Sequence, residues 1–175
     1  SDDTLQFEDR DASGGTSDGR RQTTAKLRDT TNWYHIMLVL DSTQANEADR
    51  AKIYINGEQV TAFAATRSIA QNYSFSFNRS SAVNYIGNMS GSSEFFDGYL
   101  AEINFIDGIA LDASYFGYTE FQTGIWRPKR YEGSYNNNGF HLEFKDNTNN
   151  AAMGRDTSGQ GNDFTVENIA SSHDN

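Results

Sequence analysis

A chain of 175 residues can bury one hydrophobic core, and its 13% aromatic residues can fill that core although only 36% of the chain is hydrophobic. The formal net charge of −10 at pH 7 argues against a nucleic-acid partner, because phosphate contacts need clustered lysine and arginine. The absence of cysteine excludes disulfides and thiol chemistry, and no apolar run approaches the roughly 20 residues that membrane insertion requires.

The first third of the chain is patterned as β-strands. Leu5 and Phe7 share one face of a first strand, and a loop rich in glycine, serine and aspartate separates it from an edge strand predicted over Gln22–Leu27. Trp33–Asp41 carries apolar residues on both alternating faces. Such a pattern predicts a strand that is covered on both sides.

The middle of the chain continues the sheet pattern. Asn56-Gly57 lies between the two apolar runs of residues 52–63 and predicts a hairpin, because a type I′ turn needs positive φ at both central residues. Further strands are predicted at Tyr73–Phe77, Ala82–Asn88 and Phe95–Asp107.

The last third alternates between irregular segments and strands. Asp112 is positioned to cap a short helical turn, and 123–139 is predicted to be mostly irregular. Two more strands are predicted, at Gly139–Lys145 and Phe164–Ile169; in the former, Phe140, Leu142 and Phe144 point inward and His141 outward. About nine or ten strands indicate one all-β domain over residues 1–170, followed by a polar tail at 171–175.

Two series of motifs carry a family resemblance. W-Y-H-I-M-L-V-L-D, K-I-Y-I-N-G-E-Q-V, Y-I-G-N and F-D-G-Y-L-A-E-I-N-F-I-D occur in that order, and the series resembles the laminin-G-like, concanavalin A-like jelly-roll family. A second series resembles the branch of this family that is common in virion proteins of marine bacteriophages. Its motifs lie at Ile106–Leu111, Thr123–Lys129, Asn138–Asp146 and Asp156–Asp163, and the resemblance spans 32–169.

The resemblance implies a two-sheet antiparallel jelly-roll sandwich. Family members begin with a strand of the type W-T-F-S-x-W-V, which this chain lacks. We therefore expect a sandwich that is incomplete at its N-terminus, with the missing part absent from this chain or supplied by a neighbour. The chain also begins at Ser1 without a methionine, so we interpret it as a piece of a longer protein.

Catalytic groups are not evident in the sequence. The resembled fold also occurs in glycosidases, and one family of these carries its catalytic acids as E-x-D-x-E on a single strand. The comparable positions in this chain are Glu102, Asn104 and Ile106, of which only Glu102 can transfer a proton. His35 is interpreted as a core residue, and no G-x-S-x-G motif is present. We therefore expect the chain not to be an enzyme.

Calcium is the candidate cofactor. Asp156, Gly161 and Glu167 have the spacing of positions one, six and twelve in an EF-hand loop, but no entering helix precedes them, so we interpret the stretch as a glycine turn. Jelly rolls of the family that this sequence resembles often bind calcium at the rim of the sandwich. The alternative is that the acidic residues lie in turns and face water without binding a metal. The candidate ligands are Asp97, Glu102, Asn104, Asp146 and Asn147.

Glycan recognition is the function that the resembled fold suggests. Exposed aromatic rings can stack on sugar rings with polar groups beside them, and the candidates are Trp126, Arg127, Tyr131 and Tyr135. The alternative is that these aromatic residues anchor an irregular segment onto a sheet or a partner subunit.

The sequence and the resemblance together predict a non-enzymatic structural subunit of a bacteriophage particle, located in the virion as a capsid decoration, head fibre or tail appendage. Its expected partners are other virion proteins and further copies of itself. A carbohydrate-binding module for host envelope glycans is the alternative. A polysaccharide-degrading enzyme with its catalytic residues outside this chain is a third hypothesis.

Overall fold

The structure of the protein is a computed structural model that describes residues 2–10, 17–77, 83–88, 95–146 and 148–167. Asn147, the predicted strand end at 168–169 and the predicted tail at 171–175 lie outside the described residues. The chain forms two compact units. Ser1–Ala82 and Ala110–Tyr131 belong to the first unit, and Val83–Ile109 and Glu132–Asn175 belong to the second.

The described residues are almost entirely strands and irregular segments. In chain order the elements are β1 (Thr4–Arg10), β2 (Ser17–Lys26), β3 (Ile36–Leu40), β4 (Ala51–Ile55), β5 (Glu58–Gln59), β6 (Phe63–Arg67), β7 (Ile103–Phe105), β8 (Gly117–Thr119), β9 (Trp126–Pro128), β10 (Phe140–Leu142) and α1 (Asn150–Met153). All strand pairs are antiparallel, which confirms the predicted all-β class. Among the described helices, none combines the length and hydropathy needed to cross a membrane.

The described residues of the first unit form three sheets, with the strand orders β1-β2-β6, β3-β4-β5 and β8-β9. Strand β2 pairs with β1 on one side and with β6 on the other, so the prediction of an edge strand over Gln22–Leu27 was wrong. The polar composition of β2 suggested an edge, but Arg21 and Thr23 are buried and hydrogen-bonded. The Thr23 hydroxyl accepts from Leu5 N at 3.1 Å and donates to the carbonyl oxygen of Ala25 at 2.8 Å.

The hairpin between β4 and β5 forms at the predicted turn. Asn56 and Gly57 have φ angles of 49° and 82°, the left-handed values that a type I′ turn requires. Asn56 also continues the pairing of β3 with β4, because its N–H donates to His35 O at 2.8 Å and its side-chain oxygen accepts from His35 N at 2.9 Å. The turn prediction is therefore confirmed.

The buried apolar residues of the first unit include Val39 on β3 and Ala51 and Ile53 on β4. The prediction that β3 is covered on both faces was wrong, since Ile36 and Leu38 are 40% and 41% exposed. Strand β3 is the outer strand of its sheet, and these two side chains line an open groove instead of a filled core.

The second unit is built around the pairing of β7 with β10. Phe105 lies opposite Phe140, and their rings stack with centroids 5.4 Å apart. Phe164 packs edge-on against Phe140 at 4.8 Å, and Leu142 is almost completely buried. This aromatic cluster is the core of the described part of the second unit.

Several predicted strands are shorter than expected or absent. Glu102 adopts a left-handed φ of 52°, so the strand predicted over Phe95–Asp107 is reduced to β7. In the described residues, no strand forms at Tyr73–Phe77, at 83–88 or at 164–167. In contrast, the turn capped by Asp112 is confirmed as a 3-10 turn over Ala113–Tyr115, with Ser114 N donating to the Asp112 carboxylate.

Candidate functional site

The β8–β9 hairpin of the first unit has a tip held by a dense set of hydrogen bonds. Glu120 N donates to Ile125 O, and Gly124 N donates to Glu120 O, both at 2.8 Å. The Glu120 carboxylate also accepts from the Thr123 hydroxyl at 2.6 Å and from the Arg127 guanidinium at 3.2 Å, and both hydrogen bonds lower its pKa. The segment between the two strands therefore has a defined shape.

This tip presents large apolar side chains to solvent. Phe121 is fully exposed, and Tyr118 and Ile125 are 54% and 52% exposed. We call these three residues the aromatic tip. The exposed cations Arg127, Lys129 and Arg130 follow directly along the chain. An exposed apolar cluster beside charged groups is typical of a surface that contacts another molecule.

Trp126 anchors the base of the same hairpin. Its indole ring packs against His35 with centroids 5.4 Å apart and covers Gly57 and Gly117, where a Cβ atom would collide with the ring. In the described structure, the indole Nε1 is buried without a hydrogen-bond partner, as is Nδ1 of His35, and burial lowers the pKa of that imidazole. The next residue, Arg127, is exposed. Of these two predicted contact residues, only Arg127 therefore presents its side chain to solvent.

The two tyrosines predicted as contact residues are both buried. In the first unit, Tyr131 stacks on Phe116 with centroids 5.1 Å apart, and burial raises the pKa of its hydroxyl. In the second unit, Tyr135 stacks on His141 and donates its hydroxyl to the Asn104 side-chain oxygen at 2.6 Å. These positions match the anchoring alternative, and a role in contacting a ligand stays a prediction.

His141 is the centre of a polar network in the second unit. The prediction that it points outward was wrong, since it is only 2% exposed. Its Nε2 lies 2.8 Å from a Glu102 carboxylate oxygen, and its Nδ1 lies 3.0 Å from the Thr157 hydroxyl. Strand alternation failed here because Tyr135 stacks on the ring and β10 ends at Leu142, before the left-handed Phe144.

Asp156 organises the loop next to this histidine. Its buried carboxylate accepts from the backbone N–H groups of His141, Ser158 and Asn162 and from the Ser158 hydroxyl, at 2.8 to 2.9 Å. Burial alone would raise the pKa of Asp156, but these hydrogen bonds outweigh it and hold the pKa below its usual value. The D-T-S-G-Q-G-N-D stretch is therefore a closed turn, as interpreted from its glycines.

The predicted calcium ligands do not converge in the described residues. Asn104 donates to Glu102 O at 3.2 Å, and Asp146 accepts from the Thr148 hydroxyl at 2.7 Å. Asp97 is exposed, and no cluster of three or more histidine, cysteine, aspartate or glutamate residues suited to a metal ion occurs in the part of the chain that the structure describes. Asn147 lies outside that part, so calcium binding stays a prediction.

Sequence reasoning did not single out Phe121 or Trp33 as contact residues. Phe121 is surrounded by polar residues in T-E-F-Q-T-G, a run typical of a turn. An aromatic residue within such a turn could have indicated that its side chain is exposed. The sequence pattern makes Trp33 the first residue of a strand covered on both sides, but β3 begins only at Ile36 and the indole is 66% exposed.

A comparison with protein families matches residues 1–114 to a laminin-G-type family described as the concanavalin A-like lectin/glucanases superfamily. The match covers more than half of the chain, so this chain belongs to that superfamily, and the all-β sandwich class is confirmed. The match includes the first 31 residues, which lay outside the sequence resemblance, and does not reach the motifs after Ser114. No curated protein and no solved structure matches the chain.

Proposed function

We propose that this chain is a non-catalytic recognition and assembly module that serves as a structural subunit of a bacteriophage particle. The observation that carries the proposal is the aromatic tip, a hairpin end fixed by hydrogen bonds that exposes Phe121 completely. Ordered loops that expose large apolar side chains are typical of protein contacts, because their burial contributes most of the binding energy. Membership of a superfamily that includes lectins supports a role in binding other molecules over a role that is only structural.

The alternating positions Glu102, Asn104 and Ile106, of which only the first has a carboxylate, support the non-catalytic part of the proposal. Glu102 is paired with His141, and Asn104 is occupied by the Tyr135 hydroxyl. A glycosidase needs two carboxyl groups about 5 to 10 Å apart, which these residues cannot provide. We expect no release of reducing ends from a panel of β-glucans and bacterial polysaccharides; release that Glu102→Gln abolishes would contradict the proposal.

The placement in a particle is tested on virions purified from the source culture by density banding. We expect mass spectrometry to find the chain in the particle band at a constant ratio to the major capsid protein after a high-salt wash. Its recovery only in the unbound fraction would contradict a virion location. Residual host proteins in the same band serve as the control for adsorbed material.

Carbohydrate recognition is the second candidate, and Trp33 is the observation in its favour. The exposed indole follows a polar turn in which Asp29 accepts from the Thr31 hydroxyl and the Asn32 amide. An open indole face beside amide and carboxylate groups can stack on a sugar ring. We expect glycan-array binding, if it occurs, to be lost in Trp33→Ala and retained in Trp126→Phe, because Trp126 is packed inside the hairpin base.

A further inference from the structure

We propose that His35 and Trp126 form a pH-sensitive latch at the base of the β8–β9 hairpin, and that protonation of the His35 imidazole loosens the hairpin and the aromatic tip. The inference rests on the proposed function, since it names a regulation of the same contact surface. The two rings lie where the hairpin packs against the turn between β4 and β5.

The imidazole of His35 has little freedom to move away from the indole. Asn56 fixes the backbone of His35 at two points, because it donates to His35 O at 2.8 Å and accepts from His35 N at 2.9 Å. The indole fills the space over Gly57 and Gly117, where a Cβ atom would collide with it. The two ring centroids are 5.4 Å apart. A change of charge on the imidazole therefore acts directly on the ring that anchors the hairpin.

The two rings carry a buried donor and a buried acceptor. Nε1 of Trp126 can only donate, and Nδ1 of a neutral His35 accepts when the proton is on Nε2. Both nitrogens are buried without a hydrogen-bond partner in the described structure. A protonated imidazole carries an N–H at Nδ1, so two donors are then buried together with no acceptor for either among the described residues. Such a group is costly to bury, above all when it is charged.

No charge among the described residues offsets this cost. The titratable residues of β4, β5, β8 and β9, and the one directly before His35, are Tyr34, Lys52, Tyr54, Glu58, Tyr118 and Arg127. Of these, Lys52 is paired with Asp49 and Arg127 with Glu120. None of them shifts the pKa of His35, because burial is the single cause that lowers it.

A cation–π attraction between a protonated His35 and the indole would act in the opposite direction. Its effect is the smaller one, because the rings are tilted by 40° and the indole face does not replace the hydrogen bonds that an Nδ1–H makes in water. Burial of the unpartnered donors therefore decides the outcome, and the neutral imidazole is the form that fits the packed hairpin.

The hairpin depends on this anchor because it is small. Strands β8 and β9 have three residues each and form a two-stranded sheet, and an isolated hairpin of this kind is only marginally stable in water. The hydrogen bonds of Glu120 N and Gly124 N lie within the hairpin, so they weaken when its base loosens. The stack of Phe116 on Tyr131 keeps the chain attached to the first unit on both sides of the hairpin.

The pH range of the latch follows from the direction of the shift. The unfolded pKa of histidine is about 6.5, and the folded pKa of His35 lies below the usual value. The neutral imidazole therefore contributes its full stability above about pH 6.5 and loses it as pH falls through the folded pKa. We expect an ordered tip at neutral pH and a loosened tip in mild acid.

Acrylamide quenching of Trp126 fluorescence tests the latch in the 175-residue chain carrying Trp33→Phe, which leaves one tryptophan. Between about pH 7.5 and 5, we expect the quenching constant to rise about threefold while far-UV circular dichroism stays unchanged. His35→Gln in the same background is the matched control, and its quenching constant should not change with pH. No rise with His35 present, or an equal rise in both proteins, would overturn the proposal. His35→Phe replaces His35→Gln if the latter does not fold.

Hydrogen exchange of the tip amides tests whether the latch acts on the aromatic tip. After correction for intrinsic rates, protection of the Glu120 and Gly124 amides should fall about tenfold between about pH 7.5 and 5.5 in wild type, and less than about twofold in His35→Gln. The Asn162 amide, which donates to Asp156 in the second unit, is the internal control and should keep its protection. Unchanged tip protection in wild type would overturn the proposal.

The latch and the particle role can be refuted separately. A chain whose tip does not respond to pH but which is present in virions refutes the latch and leaves the particle role intact. A chain whose tip responds to pH through His35 but which is absent from virions refutes the particle role alone.

Discussion

At the scale of single residues, each unit contains a buried charged group that is held by specific hydrogen bonds. Arg21 in the first unit donates to the carbonyl oxygens of Arg20 and Arg67 and pairs with Glu47 at 2.6 Å. Asp156 in the second unit accepts only uncharged donors. Buried charges are stable only when such partners are present, so these residues control local stability.

We predict that Asp156→Ala lowers the free energy of unfolding by about 2 to 3 kcal/mol, because three backbone N–H groups lose their acceptor. Asp146→Ala is the matched control, since that exposed carboxylate accepts only from the neighbouring Thr148, and it should melt near the wild-type temperature. Urea unfolding of the three proteins measures the differences. Equal losses in both variants would contradict the role assigned to the buried turn.

The lowered pKa of Asp156 also predicts a pH dependence. Since the folded pKa lies below the unfolded value of about 3.9, the ionised carboxylate contributes its full stability above that value and loses it as pH falls through the folded pKa. The difference in melting temperature between wild type and Asp156→Asn should therefore be constant from pH 7 to about pH 5 and shrink in stronger acid. A difference that grows on acidification would have the wrong sign.

Arg21 provides the corresponding prediction for the first unit. Arg21→Met should cost about 2 to 3 kcal/mol, less than a fully buried pair would lose, because the Glu47 side chain is 39% exposed and water screens its charge. Arg28→Met removes an exposed arginine paired with Asp3 and should change stability little. Chemical denaturation measures both, and a similar loss in both variants would rule out a special role for burial.

Residue-level predictions from the sequence succeeded where the local chain decides the outcome. The Asp112 cap and the Asn56-Gly57 turn depend on neighbours one to three residues away, and both were predicted. The burial of His141 was not predicted, because it depends on contacts with Tyr135 and Glu102. Alternation along a strand carries no information about where these two residues lie. The exposure of Phe121 likewise depends on the shape of the hairpin.

At the scale of elements, the β4–β5 turn and the β8–β9 hairpin are coupled through Trp126. The indole ring covers Gly57, which has φ of 82°, so a side chain at this position would be both strained and in collision with the ring. It also covers Gly117 at the start of β8. The turn that the sequence predicted is therefore also a packing surface for the hairpin that carries the aromatic tip.

We predict that Gly57→Ala destabilises the protein by about 2 to 4 kcal/mol, combining backbone strain with overpacking. Gly124→Ala is the matched control, because Gly124 has φ of 68° but no atom within 4 Å of an added Cβ. The control should lose about 1 kcal/mol through strain alone. Thermal unfolding and Trp126 fluorescence report the difference, and equal losses would show that the ring moves aside freely.

Elements with strong local signals were placed better than those with weak ones. Strands β1, β3 and β4 occur where alternation and the hairpin signal predicted them. The stretches at 83–88 and 95–102 have strand-like composition, but left-handed residues at Gly87 and Glu102 interrupt the extended backbone. Composition does not reveal where such interruptions fall.

At the scale of the whole molecule, the sequence resemblance anticipated the fold family. Residues 1–114 match the concanavalin A-like lectin/glucanases superfamily, and the first residues fall within the match although they lacked the expected opening motif. The family does not specify a ligand, and the candidate contact surface lies at residues 118–125, outside the matched range. Function therefore has to be argued from the exposed tip and not from the family alone.

Immunogold electron microscopy of intact virions, with antibodies raised against the purified chain, tests whether the protein is part of the particle. We expect gold at one defined position on the particle surface, and competition with the soluble chain should remove the label. Label at background level on intact particles, with the chain found only in free soluble protein, would contradict the proposed role as a virion assembly module.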